Sequence, residues 1–415
     1  MSKRVVIGTL AVITTIVLLG AATRVPQARA KPSRFIYVWA GTGMMDPFRN
    51  IRKPGEDMIA VVDADASSPK YGTVIDVLPV DSGWMPHHVE LELPKKGPLF
   101  ANDFGADKSY LIDFTNPAHP KLAGRMDAVP GAHSAHSFAR LTNGHVLATV
   151  QFGDGTVAGN PGSLAEFDAN GKLLRHSSSA DPAFPGAKIR TYALTVLPAI
   201  DRVVTTSNPM DTERTAHVVQ VWRKSDLKLL KTLALPEVAT DSAYMFPFEL
   251  KTMADGRSVL MYTYYCGFYR ITGLESDPRI ERVMAMSHPK NIGCGVPIVS
   301  GKYIVVPVAY AHRYATLDIS NPAHPVEVSS LDTDSTYYPH WLARDPHSDR
   351  VVMTDQGDGP PNLRIAHFNI VTGKLTWDEK FRDPGAKTFG LNFMNVSWPG
   401  GIKGMVMPHG ALFVP

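Results

Sequence analysis

Short runs of apolar, β-branched and aromatic residues alternate with turn-forming residues along almost the whole chain after residue 31. Runs such as IAVVD at 59–63 and YLID at 110–113 are followed within a few positions by Asp, Asn, Pro or Gly. No long segment carries apolar residues at the 3.6-residue period of an amphipathic helix. This pattern predicts an all-β fold built from many short strands.

The strand-and-turn pattern repeats seven times. Two of its turns are nearly identical, TNPAHP at 115–120 and SNPAHP at 320–325. Units of four strands and about 50 residues match the blades of a β-propeller, whose ring closure removes most free sheet edges. The sequence therefore predicts a seven-bladed β-propeller with four-stranded blades. Equivalent strand ends recur every 47 to 55 residues, near Asp63, Asp113, Asp168, Arg223, Arg270, Asp318 and Asn369.

The two ends of the chain are expected to share one blade. The C-terminal segments 393–398 and 405–414 are predicted to complete the blade that 35–40 begins, so that pairing of N- and C-terminal segments closes the ring. Which C-terminal segment is innermost stays open. In other blades the innermost strands are predicted to begin near His88, His136, Tyr192, Phe248 and His340.

The first thirty residues differ from the rest. Lys3 and Arg4 precede an uncharged apolar run at 5–22, and Ala28-Arg29-Ala30 has the small-x-small form of a cleavage site. These features predict a signal peptide over 1–30, cleaved after Ala30, and a periplasmic or secreted protein. If the segment stays uncleaved, it would anchor the protein to the membrane. The remaining 31–415 is predicted to be a single propeller domain, with 55 residues for each of seven blades.

Composition and charge narrow the function further. The 415 residues are 44% hydrophobic, and 33 Gly and 33 Pro fit a fold with many turns. Removal of the four basic residues in 1–30 changes the formal charge from +3 to −1, so a nucleic-acid partner has no support. Cys266 and Cys294, in an oxidising compartment, are expected to form a disulfide or to bind metal. The absence of CxxCH, dinucleotide and phosphate-loop motifs predicts no haem and no nucleotide cofactor.

Histidines provide the candidate chemistry. A group of them falls at the starts of predicted inner strands, which meet at one mouth of the propeller channel, and a C-terminal histidine can reach the same mouth. Because side chains alternate along a strand, only one of two adjacent histidines should point inward. Imidazoles without comparable carboxylates suit copper, zinc or iron, and a nearby methionine thioether favours Cu(I). The candidate metal ligands are His87, His88, His133, His136, His340, His409 and Met394.

A metal site is not the only interpretation of the histidines. Each of them can instead serve a structural role, for example by capping a strand. Glu249, on a predicted inner strand, is a candidate catalytic base or a partner that orients a metal ligand, or simply a solvated channel carboxylate.

Several stretches resemble the selenium-binding protein family, which includes methanethiol oxidases. The similar stretches are DMIAVVDADASSPKYGTVIDVLP at 57–79, the histidine pair at 87–88, HSAH at 133–136, the glycine-rich loop at 153–162 and VSWPGG at 396–401. The resemblance implies a seven-bladed propeller and a copper-dependent reaction. In that reaction methanethiol, dioxygen and water give formaldehyde, hydrogen sulfide and hydrogen peroxide. It also implies a role for Glu249, and copper ligands at His87, His88, His133 and His136.

The chain departs from the family at two informative positions. Ala40 stands in place of the cysteine associated with selenium binding, and Met394 stands where the family has a histidine before its Pro-Gly-Gly. His340 and His409 can replace the missing ligand.

The expected function is an exported copper-dependent oxidase of a small sulfur compound, with a thiol as small-molecule substrate. The alternative is a non-catalytic periplasmic propeller that serves as a metal-binding scaffold or binds a protein partner. A propeller lactonase with a bound divalent cation is disfavoured, because the predicted channel lacks the necessary carboxylates.

Overall fold

The computed structural model describes residues 31–415 except 43, 47–50, 54, 84, 211–214, 237–244, 287–292, 357–361, 395–396 and 403–404. The predicted signal peptide and its cleavage site, apart from Lys31, lie outside the described residues. Among the described residues, no helix is long and apolar enough to cross a membrane.

Strands account for nearly all of the regular structure. The first half of the chain contains β1 (Phe35–Gly41), β2 (Met44–Asp46), β3 (Ile51–Lys53), β4 (Gly55–Asp63), β5 (Val74–Gly83), β6 (Pro86–Val89), β7 (Leu99–Asp103), β8 (Lys108–Asp113), β9 (Lys121–Arg125), β10 (Ala132–Arg140), β11 (Val146–Gly153), β12 (Ser163–Phe167), β13 (Leu173–Ser178), β14 (Thr191–Leu197) and β15 (Arg202–Ser207). The second half contains β16 (Val218–Arg223), β17 (Leu229–Ala234), β18 (Pro247–Thr252), β19 (Val259–Thr263), β20 (Gly267–Thr272), β21 (Arg279–Ala285), β22 (Ile298–Ser300), β23 (Tyr303–Val308), β24 (Arg313–Asp318), β25 (Val326–Asp332), β26 (Pro339–Arg344), β27 (Arg350–Asp355), β28 (Leu363–Phe368), β29 (Leu375–Trp377) and β30 (Met407–Val414). Short 3-10 turns lie at Pro198–Ile200, Ala309–Ala311 and Pro399–Gly401.

These strands form seven four-stranded antiparallel sheets, which confirms the predicted seven-bladed β-propeller. Blade 1 consists of β30, β1, β4 and β5 in that order. Blades 2 to 7 each use four consecutive strands, β6–β9, β10–β13, β14–β17, β18–β21, β22–β25 and β26–β29. The first strand in each order is the inner strand, and the inner strands surround the central channel.

Burial follows the position of a strand within its blade. All of β1 is buried. The outer strand β13 alternates between partly buried and exposed residues, because only one of its two faces packs against other residues. Large buried rings such as Trp39, Trp222 and Trp341 fill the spaces within and between blades. The core therefore runs around the ring between neighbouring blades, and the outer strands carry the solvated surface.

Strand β30 closes the ring. It pairs antiparallel with β1 from Phe35 opposite Val414 to Gly41 opposite Met407, as the sequence predicted for 405–414. The prediction for 393–398 as a second closing strand is wrong. Phe393 instead lies in a turn and packs its ring against Trp398, with ring centroids 5.0 Å apart, and none of the four strands of the blade 1 sheet includes a described residue of this segment.

The N-terminal segment is also fixed to the last blade. The Arg350 guanidinium donates to the backbone carbonyls of Ser33 and Ala64 and to the Asp345 carboxylate at 2.8 Å. Arg350 and Asp345 are both buried residues of blade 7, and their hydrogen bonds to Ser33 and Ala64 join this blade to blade 1 where the ring closes.

The two cysteines form a disulfide. Cys266 follows β19 in blade 5, and Cys294 precedes β22 in blade 6, with their Cα atoms 5.5 Å apart. Of the two predicted alternatives, pairing is therefore the one the structure contains. The bond connects neighbouring blades at the end of the channel where the inner strands begin.

Candidate metal centre

A β-bulge lies near the start of the inner strand in six of the described blades. In each case the inner strand has one residue more than the strand it pairs with, so the register shifts. Such bulges bend a strand and redirect side chains. The bulges span 87–88 in β6, 136–137 in β10, 192–193 in β14, 248–249 in β18, residue 340 in β26 and 409–410 in β30.

The bulge in β6 overturns one expectation from the sequence. Regular alternation would send His87 and His88 to opposite faces, yet both are buried, and their rings stack with centroids 4.4 Å apart. Both rings also contact His136, at 4.7 and 4.3 Å. The extra residue at the bulge removes the alternation at this point, so adjacent histidines share one site.

Five histidines from four blades form one cluster. His87 Nε2 lies 2.9 Å from His136 Nε2, and His340 Nε2 lies 3.0 Å from His409 Nε2. The two pairs are joined through His409, whose ring lies 4.0 Å from that of His87. Ligand atoms of His87, His88 and His136 all lie within 4.8 Å of one another, a spacing that could hold a metal ion. We call these five residues the histidine cluster.

Hydroxyl and carbonyl groups orient two of the rings. Ser137 Oγ lies 3.1 Å from His88 Nδ1 and 2.9 Å from His136 Nδ1. His136 Nδ1 is also 3.1 Å from the Tyr192 carbonyl oxygen. A carbonyl oxygen can only accept a hydrogen bond, so the Nδ1 atom of His136 must carry the proton. Its Nε2 atom therefore presents a lone pair toward His87.

In blades 2 and 3 a polar side chain of the second strand fixes the bulge of the inner strand. Asn102 Oδ1 accepts the His88 N–H at 2.6 Å, while its Nδ2 donates to the His136 carbonyl of the next blade at 3.1 Å. Thr149 Oγ1 accepts the Ser137 N–H and donates to the Tyr192 carbonyl. Each of these residues therefore accepts a hydrogen bond from a backbone N–H in the bulge of its own blade and donates one to the inner strand of the next blade.

Both hydrogen bonds recur in blade 4, and the bond to the next inner strand recurs in blade 7. Thr206 accepts the Ala193 N–H and donates to the Phe248 carbonyl, and Thr354 donates to the His409 carbonyl at 2.8 Å. These contacts form part of a ring of hydrogen bonds around the channel, which fixes the backbone that carries the histidine cluster.

Burial keeps the imidazoles neutral. Desolvation, together with neighbouring imidazoles, holds the pKa of His87, His88 and His409 well below the ordinary value for histidine. Desolvation lowers the pKa of His136 and His340 to about 3. Neutral imidazoles have a free lone pair at neutral pH, which is the form that binds metal.

The cluster fits a transition-metal ion by two further observations. His87 Nδ1, His88 Nε2 and His409 Nδ1 are buried without a hydrogen-bond partner, although buried polar atoms are normally satisfied. In addition, two nitrogens that bind one ion at about 2.0–2.1 Å lie roughly 2.9–3.4 Å apart at ordinary coordination angles. The His87–His136 and His340–His409 contacts fall in this range. An all-imidazole donor set suits copper, zinc or iron.

Aromatic rings enclose the cluster. Tyr192 contacts the His136 ring at 3.8 Å, Trp341 contacts His88 at 5.1 Å, and Phe104 lies 5.7 Å from His136. None of these three residues is among the site residues predicted from the sequence. Tyr192 and Trp341 stand at or beside the start of aligned inner strands, so the repeat itself contained the signal for both.

Three predicted site residues lie outside the histidine cluster. His133 is exposed and stacks on Phe152 at 5.2 Å, because the left-handed backbone of Ser134 (φ 63°) turns the chain between it and His136. Met394 lies in the turn after blade 7, where its N–H donates to Asn392 Oδ1. No contact among the described residues joins either side chain to the cluster.

The third is Glu249, which occupies the bulge of β18. Its carboxylate is buried and lies 3.7 Å from Lys251 Nζ. Burial raises the pKa of Glu249, although the Lys251 ammonium opposes this shift. No described contact places the carboxylate against a histidine. Its geometry therefore fits an internal ion pair of the channel better than a ligand.

Comparisons with known proteins agree with the resemblance seen in the sequence. Over 300 residues the chain is 23% identical to a methanethiol oxidase of a Hyphomicrobium species, a match that covers 66% of each chain, just under two thirds. The fold superimposes on a hypothetical selenium-binding protein from Sulfolobus tokodaii with a TM-score of 0.70 and 15% identity, over 92% of this chain and 94% of the other. The chain is therefore similar to a methanethiol oxidase in sequence and to a selenium-binding protein in fold.

Other matches concern the fold. A periplasmic gluconolactonase from Pseudomonas aeruginosa superimposes with a TM-score of 0.61 and 15% identity, over 92% of this chain and 99% of the other. Residues 298–333 match the family model described as LVIVD repeat. This match corresponds to blade 6, from the start of β22 to just beyond the end of β25. Propellers with this architecture serve different functions, so function has to be argued from the site.

Proposed function

We propose that the chain is an exported copper-dependent oxidase of a small sulfur compound, with methanethiol as the first substrate to test. The histidine cluster carries the proposal, because it provides four buried imidazoles and the partly buried His340, with three buried ring nitrogens that have no hydrogen-bond partner among the described residues. Similarity to a methanethiol oxidase supports the class of reaction. The apolar leader with its Ala-x-Ala sequence supports export.

The residues divide into a primary and a secondary set. His87, His88 and His136 would hold the ion, since their ligand atoms all lie within 4.8 Å of one another, and His409 with His340 would complete or extend the site. Copper bound there would supply the one-electron chemistry that links oxidation of a thiol to reduction of dioxygen.

The chain itself supplies the environment for this chemistry. Ser137 and the Tyr192 carbonyl fix the proton of His136 on Nδ1, so that Nε2 stays free. The rings of Tyr192, Trp341 and Phe104 exclude water and offer aromatic surfaces that a sulfur atom contacts favourably.

The first test is copper binding by the purified protein. After reconstitution with copper and removal of the excess, elemental analysis is expected to find about one equivalent, because such sites bind tightly. His136→Ala is expected to reduce this content strongly. His133→Ala is the matched control, since it changes a histidine three positions away that lies outside the cluster, and it should retain wild-type copper content. Less than about a tenth of an equivalent in the wild type would contradict the proposal.

The second test is turnover. With methanethiol as substrate, the copper-loaded protein is expected to consume dioxygen and to release hydrogen peroxide and hydrogen sulfide. Copper binding without oxygen consumption would favour the scaffold alternative, in which the propeller binds metal or a partner protein without catalysis.

A further inference from the structure

A separate cavity lies at the opposite end of the channel from the histidine cluster. His87, His340 and His409 stand in the first three residues of their inner strands and His136 in the middle of β10. Lys251, Arg344 and Phe413, in contrast, stand in the last two residues of theirs. Between these strand ends lies a cavity of about 1180 Å³. We call it the far cavity.

The walls of the far cavity are largely apolar. Leu91, Ile298 and Leu342 line it from three different blades, and Phe114 and Leu412 add further apolar surface. Pockets of several hundred Å³ with such walls and a few fixed polar groups are typical sites for small organic ligands. The size and lining therefore suit an organic molecule better than a bare inorganic ion.

The charges around the far cavity favour an anion. Its lining contains four basic residues but only two acidic ones, Glu92 and Asp113. Asp113 already accepts hydrogen bonds from the backbone and hydroxyl of Thr115. The basic residues are Lys95, Lys96, Lys251 and Arg344.

Two of these cations are positioned by strands. Arg344 ends β26 and has neither a hydrogen-bond nor an ion-pair partner among the described residues. Lys251, on β18, is only 17% exposed, and its Nζ lies 3.7 Å from the buried Glu249 carboxylate. Side chains held on strands are placed more rigidly than those on loops. Arg344 is therefore the unpaired cation that can meet a ligand carboxylate or sulfonate in two-point geometry.

We propose that the far cavity binds a small organic anion, a carboxylate or sulfonate with an apolar body. Arg344 contacts the anionic group, the exposed Lys95 and Lys96 add positive charge, and the apolar walls hold the body of the ligand. None of the five histidines lines the far cavity, so this proposal does not rest on the proposed oxidase function.

The test uses two fluorescent probes of similar shape and different charge. The anionic 1-anilinonaphthalene-8-sulfonate is expected to bind the purified protein at one saturable site. Arg344→Gln should weaken this binding by about tenfold, the effect of losing one charge-assisted hydrogen bond. Binding of the uncharged N-phenyl-1-naphthylamine should change little. Lys374→Gln removes an exposed positive charge far along blade 7 and should leave both probes unaffected.

The proposal is overturned if Arg344→Gln binds the sulfonate as tightly as wild type, or if both probes weaken equally. Near-UV circular dichroism shows whether each variant retains native packing. A competition experiment on the wild type decides the question if Arg344→Gln does not fold. Octanoate should displace the bound sulfonate at lower concentration than octanol, and equal displacement by the two contradicts an anion site.

Discussion

His367 illustrates how a surface histidine differs from those in the channel. Its Nε2 lies 3.4 Å from Asp378 and its Nδ1 lies 3.1 Å from Asp349. The hydrogen bond to Asp378 is the largest cause that raises the pKa of His367 to about 8, with a further contribution from Asp349. The Tyr71 hydroxyl of blade 1 donates to the same Asp378, so this group joins blades 7 and 1.

This arrangement predicts a pH-dependent contribution to stability. Because the pKa of His367 is raised on folding, its contribution is fully present below pH 6.5 and is lost as the pH rises through about 8. The effect should be at most about 1 kcal/mol, since the side chain is partly exposed. Urea unfolding between pH 6 and 9 measures it. His367→Gln should remove the decrease within this interval, and an unchanged slope in that variant would contradict the assignment.

At the same scale, residue type was predictable and residue placement was not. The sequence identified His87, His88, His136, His340 and His409 as candidates, and the structure brings all five together. It also suggested His133, which a single left-handed residue directs away from the cluster. One backbone dihedral decides that outcome, and no spacing rule contains it.

Among the structural elements, the bulged inner strands determine the site. A bulge adds one residue without changing the pairing on either side, so it leaves little trace in a hydrophobic pattern. In blades 2, 3 and 4 its trace is instead the buried polar residue opposite the bulge, Asn102, Thr149 or Thr206. A buried polar position in the second strand is therefore the sequence feature that would have located the bulges of these three blades.

Thr149→Val tests this role. The variant keeps the shape of the side chain but removes the hydroxyl that accepts the Ser137 N–H and donates to the Tyr192 carbonyl, on both sides of His136. Copper affinity is expected to fall about 10–100-fold, as it does when groups that orient metal ligands are lost. Equilibrium competition with a copper chelator measures this change.

Thr232→Val is the matched control. It removes a buried hydroxyl on β17, the outer strand of blade 4, where Thr232 Oγ1 accepts a hydrogen bond from Gln220 Nε2 and contacts no histidine of the cluster. Both variants should lose about 1–3 kcal/mol of stability. Equal losses of copper affinity in the two variants would mean that Thr149 acts only through general stability.

The disulfide also acts between structural elements, because it connects two blades. Cys266 and Cys294 are separated by 28 residues, and closing a loop of this length restricts the unfolded chain by about 3–4 kcal/mol. The double substitution Cys266→Ala/Cys294→Ala should lower the free energy of unfolding by this amount. Denaturant unfolding of the wild type with and without reductant provides the comparison. An unchanged free energy of unfolding in both the double variant and the reduced wild type would contradict this prediction.

For the whole molecule, closure of the ring is the decisive event. Strand β30 supplies the inner strand of blade 1, and Ala411 to Val414 are all buried. Without β30, the edge of β1 that does not pair with β4 would expose backbone groups and apolar side chains along its entire length. The chain must therefore be nearly complete before its first blade can form.

Deletion of 407–415 should abolish cooperative folding. Burial of Leu412, Phe413 and Val414 alone contributes about 1.5–3 kcal/mol each, a total comparable with the net stability of a typical domain. Loss of the near-UV circular dichroism spectrum and of a cooperative urea transition is the expected result. A circular permutant that joins 415 to 31 and opens the chain at the turn 143–144 should fold, because it keeps the closing strand. A wild-type transition in the deleted protein would contradict this prediction.

The sequence by itself determined the architecture: all-β, seven repeats, joined chain ends and histidines at the starts of inner strands. These properties follow from local patterns of apolar residues, turns and repeat length, which each blade carries within its own segment. Tertiary structure alone decided which histidines meet, because the five come from four blades and are brought together only when the ring closes. It also decided that His87 and His88 share one site, since the bulge between them is defined by pairing with the neighbouring strand.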